Sequence, residues 1–104
     1  MAEWVDICSA ERLPMGERMV VDTDAGKVAI FHLSQGLYAI EDRCSHDNGE
    51  LASGEWGGDE IICPRHGARF CILNGKALTP PAYEAIEVFA VREQNGIIQI
   101  DIDN

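Results

Sequence analysis

The chain has 104 residues, enough for one domain with a modest core and too few for a second, catalytic one. Eighteen Asp and Glu face eight Lys and Arg, a formal net charge of −10, and there is no basic run, which argues against a nucleic-acid partner. No stretch approaches the ~18 consecutive apolar residues of a membrane span, and the first turns of sequence carry Glu3, Asp6, Glu11 and Glu17 in place of a basic-then-apolar leader, so we expect a soluble, cytoplasmic protein with no membrane partner.

Along the chain, short apolar runs alternate with Gly, Asn and Pro signals, and no helical period is sustained, a pattern that predicts an all-β domain. Strands are expected at 19–22, 27–33 and 37–41, divided by the tight turns Asp24-Ala25-Gly26 and Ser34-Gln35-Gly36. Residues 44–78 then interrupt this framework as a lobe, in which strands at 60–63 and 69–73 flank a tight turn. The segment Thr79-Pro80-Pro81-Ala82 lacks two amide donors and is stiff; it reads either as a rigid loop beside the lobe or as a plain connector. Strands at 86–93 and 97–102 flank Asn95-Gly96, the strongest short hairpin signal in the chain. Ile98, Ile100 and Ile102 alternate with Gln99 and Asp101, so one face packs inward. The expected organisation is a single domain, 1–104, with an antiparallel base formed by 1–43 and 79–104 and a lobe at 44–78.

Two local pairs carry the chemistry: Cys44-Ser45-His46 and Cys63-Pro64-Arg65-His66, in a chain with four Cys and three His. Thiolate and imidazole together suit zinc, copper and iron–sulfur centres. A structural Cys₂His₂ zinc site usually keeps both cysteines in one half and both histidines in the other, the latter three to five residues apart on a helix. Here each half is mixed, and gaps of one and two residues require loops, because helical neighbours lie three or four apart. A [2Fe-2S] centre in which two Cys hold one iron and two His the other asks for one of each on two loops. Cys44/His46 and Cys63/His66 supply that set. Zinc in a mixed-loop site, or four unrelated residues, are the competing readings.

The boxes Cys-x-His at 44–46 and Cys-Pro-x-His-Gly at 63–67 resemble those of the Rieske proteins, and the likeness extends to Leu51, Gly54, Phe70, Gly75-Lys76 and Pro80-Pro81-Ala82. The resemblance implies a β-sandwich base with a small inserted cluster-binding lobe. It also implies one Rieske-type [2Fe-2S] cluster, with Cys44 and Cys63 on the buried iron and His46 and His66 on the outer iron at the lobe's tip. High-potential members usually add a cysteine to each box and place Ser and Tyr hydroxyls in the second; here 47–49 and Arg65 offer no thiol, and Ala68 and Phe70 occupy the hydroxyl positions. Hydrogen bonds to sulfur stabilise the added negative charge of the reduced state, so their loss predicts a potential near the low end of the Rieske range, about −150 mV.

Within the family the chain looks most like the ferredoxin components of biphenyl- and naphthalene-type dioxygenases. That likeness implies a low-potential electron carrier rather than an enzyme. It would accept single electrons from an NAD(P)H-dependent flavoprotein ferredoxin reductase and pass them to a terminal oxygenase in aromatic hydrocarbon catabolism. The one histidine outside the boxes is His32, so the usual oxygen-activating set of two His and a carboxylate is missing. The alternatives are a small Rieske subunit of a nitrite reductase-like enzyme and a zinc-stabilised binding module. The acidic balance serves solubility or steers the chain toward basic docking patches.

Around the ligands, Gly49 and Gly67 either bring amides close to sulfur or simply make turns. Arg65 is an exposed residue or part of a docking rim, and Trp56 fills core or meets a partner. Asp47 neighbours a ligand histidine. His32 reads as a hydrogen-bonded core or surface histidine, and Cys8 and Cys71 as free buried thiols.

Overall fold

The computed structural model describes residues 2–45 and 49–103. β1 (Trp4–Ser9) and a 3₁₀ turn (Ala10–Arg12) lead into β2 (Arg18–Thr23), β3 (Gly26–Leu33) and β4 (Gly36–Glu41). Tight turns fix the register of these three strands: Thr23 lies opposite Gly26 and Leu33 opposite Gly36. At the first turn Thr23 Oγ1 accepts from Ala25 N at 3.0 Å and donates to Gly26 O at 2.8 Å. Then come β5 (Trp56–Gly57), β6 (Glu60–Ile62), β7 (Arg69–Cys71), β8 (Val88–Phe89), β9 (Val91–Gln94) and β10 (Ile97–Asp101). Asn95 and Gly96 close the last hairpin with φ of 55° and 79°, the left-handed pair that a two-residue turn requires. No helix among the described residues is long and apolar enough to cross a membrane.

All strand pairs are antiparallel, in sheets ordered β1-β10-β9, β2-β3-β4-β8 and β5-β6-β7. The four-stranded sheet is the middle layer. Val28, Ile30, Ala39 and Phe89 turn one of its faces toward Ile98 and Ile100 of the β1-β10-β9 sheet, with Leu13 between them. Ala29, Phe31, Leu33 and Ile40 turn the other toward Leu51, Ile61, Phe70 and Ile72 of the β5-β6-β7 region, in the core that also contains Cys44 and Cys63. β3 is therefore buried on both faces, which gives it the uninterrupted apolar run Val28–Phe31.

The outer sheet is locked by side chains directly opposite one another on three strands. The Arg92 guanidinium lies 4.0 Å over the Trp4 ring while its Nε donates to Gln99 Oε1 at 2.7 Å, and Gln99 Nε2 donates to Asp6 Oδ1 at 2.6 Å.

The structure departs from the sequence reading in three places. The expected strand at 86–93 is broken at Ala90: Val88 pairs with Ile40 in the middle sheet, Val91 with Ile100 in the outer one, and Ala90 O accepts from Asp101 N at 3.0 Å. β1 precedes every strand expected from the sequence; its register shifts between Asp6 and Cys8, so it shows no clean alternation. β6 and β7 end at Ile62 and Cys71, because Cys63 opens one turn and Gly75 N, donating to Cys71 O at 2.8 Å, closes another.

At the end of β4, burial pushes the Glu41 carboxyl above its usual range; Arg43, 3.7 Å away, opposes this and Glu87 adds to it. A carboxyl raised in the folded state supports folding while protonated, and that support is lost as pH rises through its folded value. Glu41→Gln is therefore expected to raise the urea midpoint at pH 7 and to leave it unchanged in acid, below the carboxylate range, as read by denaturation curves at the two pH values.

Candidate metal centre

Both boxes begin where a strand stops. β4 ends at Glu41 and the chain runs through Asp42 and Arg43 to Cys44; β6 ends at Ile62 and Cys63 follows. Each cysteine donates its backbone N–H to the carbonyl five residues on, Cys44 to Gly49 and Cys63 to Ala68, both at 2.7 Å. The two cysteine side chains are fully buried and belong to one apolar cluster. In the second box Gly67 N returns to Cys63 O at 3.0 Å, and Gly67 takes φ +76°, which a side chain would strain. The resulting turn connects β6 to β7, with Ile62 opposite Arg69, and leaves Pro64, Arg65 and His66 exposed. The thiol thus points into the protein and the imidazole stands in solvent. His46, with the neighbouring Asp47 and Asn48, lies outside the described residues.

The proline segment and the residues beside it reach the first box and β7. Ser45 Oγ donates to Glu84 O at 2.6 Å, Arg69 N donates to Thr79 Oγ1 at 3.0 Å, and Leu78 N donates to Arg69 O at 2.8 Å. The Pro80–Pro81 bond is cis, Ala82 is buried and Tyr83 is exposed. The segment is therefore strapped to the first box and to β7, and is more than a connector.

Ala68 and Phe70 are wholly buried in the same cluster as Cys63, so neither position brings a side-chain hydroxyl to the thiol. Trp56 packs edge-on to Phe31, with ring centroids 5.0 Å apart and planes at 71°, which fastens β5 to the middle sheet and bears out core filling as its role. His32, half-buried on β3, pairs its Nδ1 with Leu13 O at 2.8 Å. Cys8 and Cys71 carry free thiols, but both are half-buried rather than buried as expected; Cys8 Sγ lies 3.7 Å from Met19 Sδ.

One residue escaped the sequence reading. Asp42, buried at 7% exposure, accepts at Oδ1 from both Leu51 N and Ala52 N at 2.8 Å. The signal available was an acidic residue just past a strand end, a type suited to collecting backbone amides.

Two inward thiols on matched loops and an outward imidazole suit a group whose one metal takes sulfur in the interior and whose other takes nitrogen at the surface. The fold and these residues define a small antiparallel β protein that binds a metal cluster. The Rieske [2Fe-2S] domain profile matches residues 3–90, and the chain belongs to that family. It is 35% identical over 95 residues to the biphenyl dioxygenase ferredoxin subunit of Pseudomonas sp. (strain KKS102), covering 90% of this chain and 87% of that one. It is 38% identical over 96 residues to the 3-phenylpropionate/cinnamic acid dioxygenase ferredoxin subunit of Escherichia coli (strain K12), covering 91% and 90%. Its backbone superimposes with a TM-score of 0.89 and 27% identity on a chain from the complex of reduced oxygenase and oxidised ferredoxin in carbazole 1,9a-dioxygenase, covering 97% and 94%. The chain is a Rieske-type ferredoxin similar to the ferredoxin subunits of ring-hydroxylating dioxygenase systems, an electron carrier and not an enzyme.

Proposed function

We propose that Cys44 and Cys63 hold the inner iron, and His46 and His66 the outer iron, of a single [2Fe-2S] cluster. Through it the chain takes one electron at a time from an NAD(P)H-dependent flavoprotein reductase and delivers it to the terminal oxygenase of an aromatic ring-hydroxylating system, in the cytoplasm. The observation that carries this reading is the burial split: fully buried thiols at 44 and 63 against an exposed His66. The cluster supplies one-electron chemistry; the chain supplies its placement. The solvent-facing His66 offers the edge for electron entry and exit, and the buried sulfur side is kept dry by Leu51, Ala68 and Phe70. With Ala68 and Phe70 giving no hydroxyl to sulfur, the potential is expected near about −150 mV. The net charge of −10 favours partners with basic docking patches and makes the exchange rates fall with salt. Residues 44–78 act as the cluster-binding lobe and 1–43 with 79–104 as its base.

Similarity to the biphenyl and phenylpropionate ferredoxin subunits supports this assignment. It is tested by iron, sulfide and zinc analysis of the purified protein, followed by reduction with NADH and a flavoprotein ferredoxin reductase. Two irons, two sulfides and a rhombic EPR signal on reduction are expected. A colourless protein holding only zinc would end the proposal.

A further inference from the structure

We propose that Asp42 is a positioning residue for the first ligand loop and that its buried charge keeps the reduction potential of the centre low; the role rests on the ligation proposed above. Backbone contacts fix residue 42 before its side chain does anything. Glu41 N donates to Glu87 O and Asp42 N to Lys27 O, both at 2.9 Å, which anchors the strand end from two sides. From there the carboxylate turns inward and is the one buried polar or charged side chain among the described residues. Its Oδ1 accepts the amides of Leu51 and Ala52, both buried, on the far side of the first box. A single oxygen therefore joins the residue before the box to the residues after it, with the Cys44–Gly49 hydrogen bond enclosed between. Amides donated to a carboxylate make stronger bonds than amides donated to a neutral acceptor, and these two have no solvent to replace it. The backbone on either side of Cys44 is held by this clasp.

Asp42 is two residues from Cys44, so their Cα atoms lie within about 7 Å of each other. A reducing electron adds negative charge there, and a buried anion close by disfavours it with little screening. Asp42 lines a cleft with Lys27, Glu41, Arg43 and Glu87, in which Arg43 lies 3.7 Å from Glu41 and Lys27 turns to Asp22, 3.2 Å away. Glu41 and Glu87 add acidic groups to that cleft.

The experiment compares iron-loaded wild type, Asp42→Asn, Asp42→Ala and, as a remote charge control, Glu3→Gln. Midpoint potential, reduced EPR spectrum and the rate of iron release to a chelator are measured. Asn keeps an acceptor oxygen and removes the charge: Asp42→Asn is expected to load fully and to shift the midpoint upward from both wild type and Glu3→Gln. Ala removes the clasp: Asp42→Ala is expected to release iron at least about tenfold faster. A loaded Asp42→Asn at the wild-type midpoint, or an Asp42→Ala that holds iron as wild type does, overturns the proposal. Should circular dichroism show Asp42→Asn unfolded, Asp42→Ser, which retains an oxygen acceptor, is held to the same upward shift. Absence of iron from the wild type is a failure of the ligation itself and is seen before any variant is made.

Discussion

Cys63→Ala is expected to purify without the visible absorption and without the reduced EPR signal of the wild type, whereas Cys71→Ala keeps both. The two thiols differ in placement. Cys63 is fully buried where β6 gives way to the second box, and Cys71 is half-buried within β7, opposite Glu60. Under the proposed ligation, removing Cys63 would leave the inner iron with one thiolate, since a methyl group offers no replacement donor. The turn itself depends on backbone groups, through Cys63 N to Ala68 O and Gly67 N to Cys63 O, so the far-UV circular dichroism of the variant should remain that of a β protein. Because bound metal stabilises the folded over the unfolded chain, the variant should also melt at a lower temperature than the loaded wild type. Stoichiometric iron in Cys63→Ala would remove Cys63 from the ligand set.

The parts of this protein visible in its sequence are those whose determinants are local. The boxes are read from spacing, and the hairpins of β2, β3 and β4 from Gly26 and Gly36 at their turns, because turn chemistry acts over a few residues. The layering is not local. Val28, Ala29, Ile30 and Phe31 are all fully buried, two toward each neighbouring layer, so no alternation in β3 tells which face meets which sheet. β1 exists as a strand because β10 pairs with it, and nothing near Trp4 announces a partner so distant in the chain. Ala90 is an unremarkable residue in an apolar run, yet the chain changes sheets there because two different partners, β4 and β10, claim the residues on either side. Asp42 is illegible for the same reason: the two amides it accepts, from Leu51 and Ala52, meet it only in the folded chain.

Gly54 is a position at which the smallest substitution should damage the fold badly. A Cβ there would stand 2.0 Å from Ile62 O and 3.2 Å from both Ile62 C and Leu51 O. These are backbone atoms, and none can swing aside as a side-chain tip would. Gly54 N is bonded to Leu51 O at 2.9 Å, Gly54 O accepts from Arg18 Nη1 at 3.3 Å, and Ile62 N is held by Glu55 O at 2.9 Å. Relief therefore requires β6 to retreat from the turn that carries Leu51, which displaces Cys63 at the strand's end and strains the Asp42 clasp together. Forced overpacking of this kind costs about 3 kcal/mol, a large part of the roughly 5–15 kcal/mol that holds a small domain folded. Gly54→Ala should lower the melting temperature of the loaded protein by about 10 °C or more and hasten iron loss. Gly57, three residues on, provides the control, since a Cβ there meets nothing within 4 Å. Gly57→Ala should stay within about 0.5 kcal/mol of wild type. Thermal melts and chelator-release rates measured side by side decide the matter: two alanine variants that behave alike would show that β6 has room to move and that the approach of Gly54 to Ile62 does not constrain the second box.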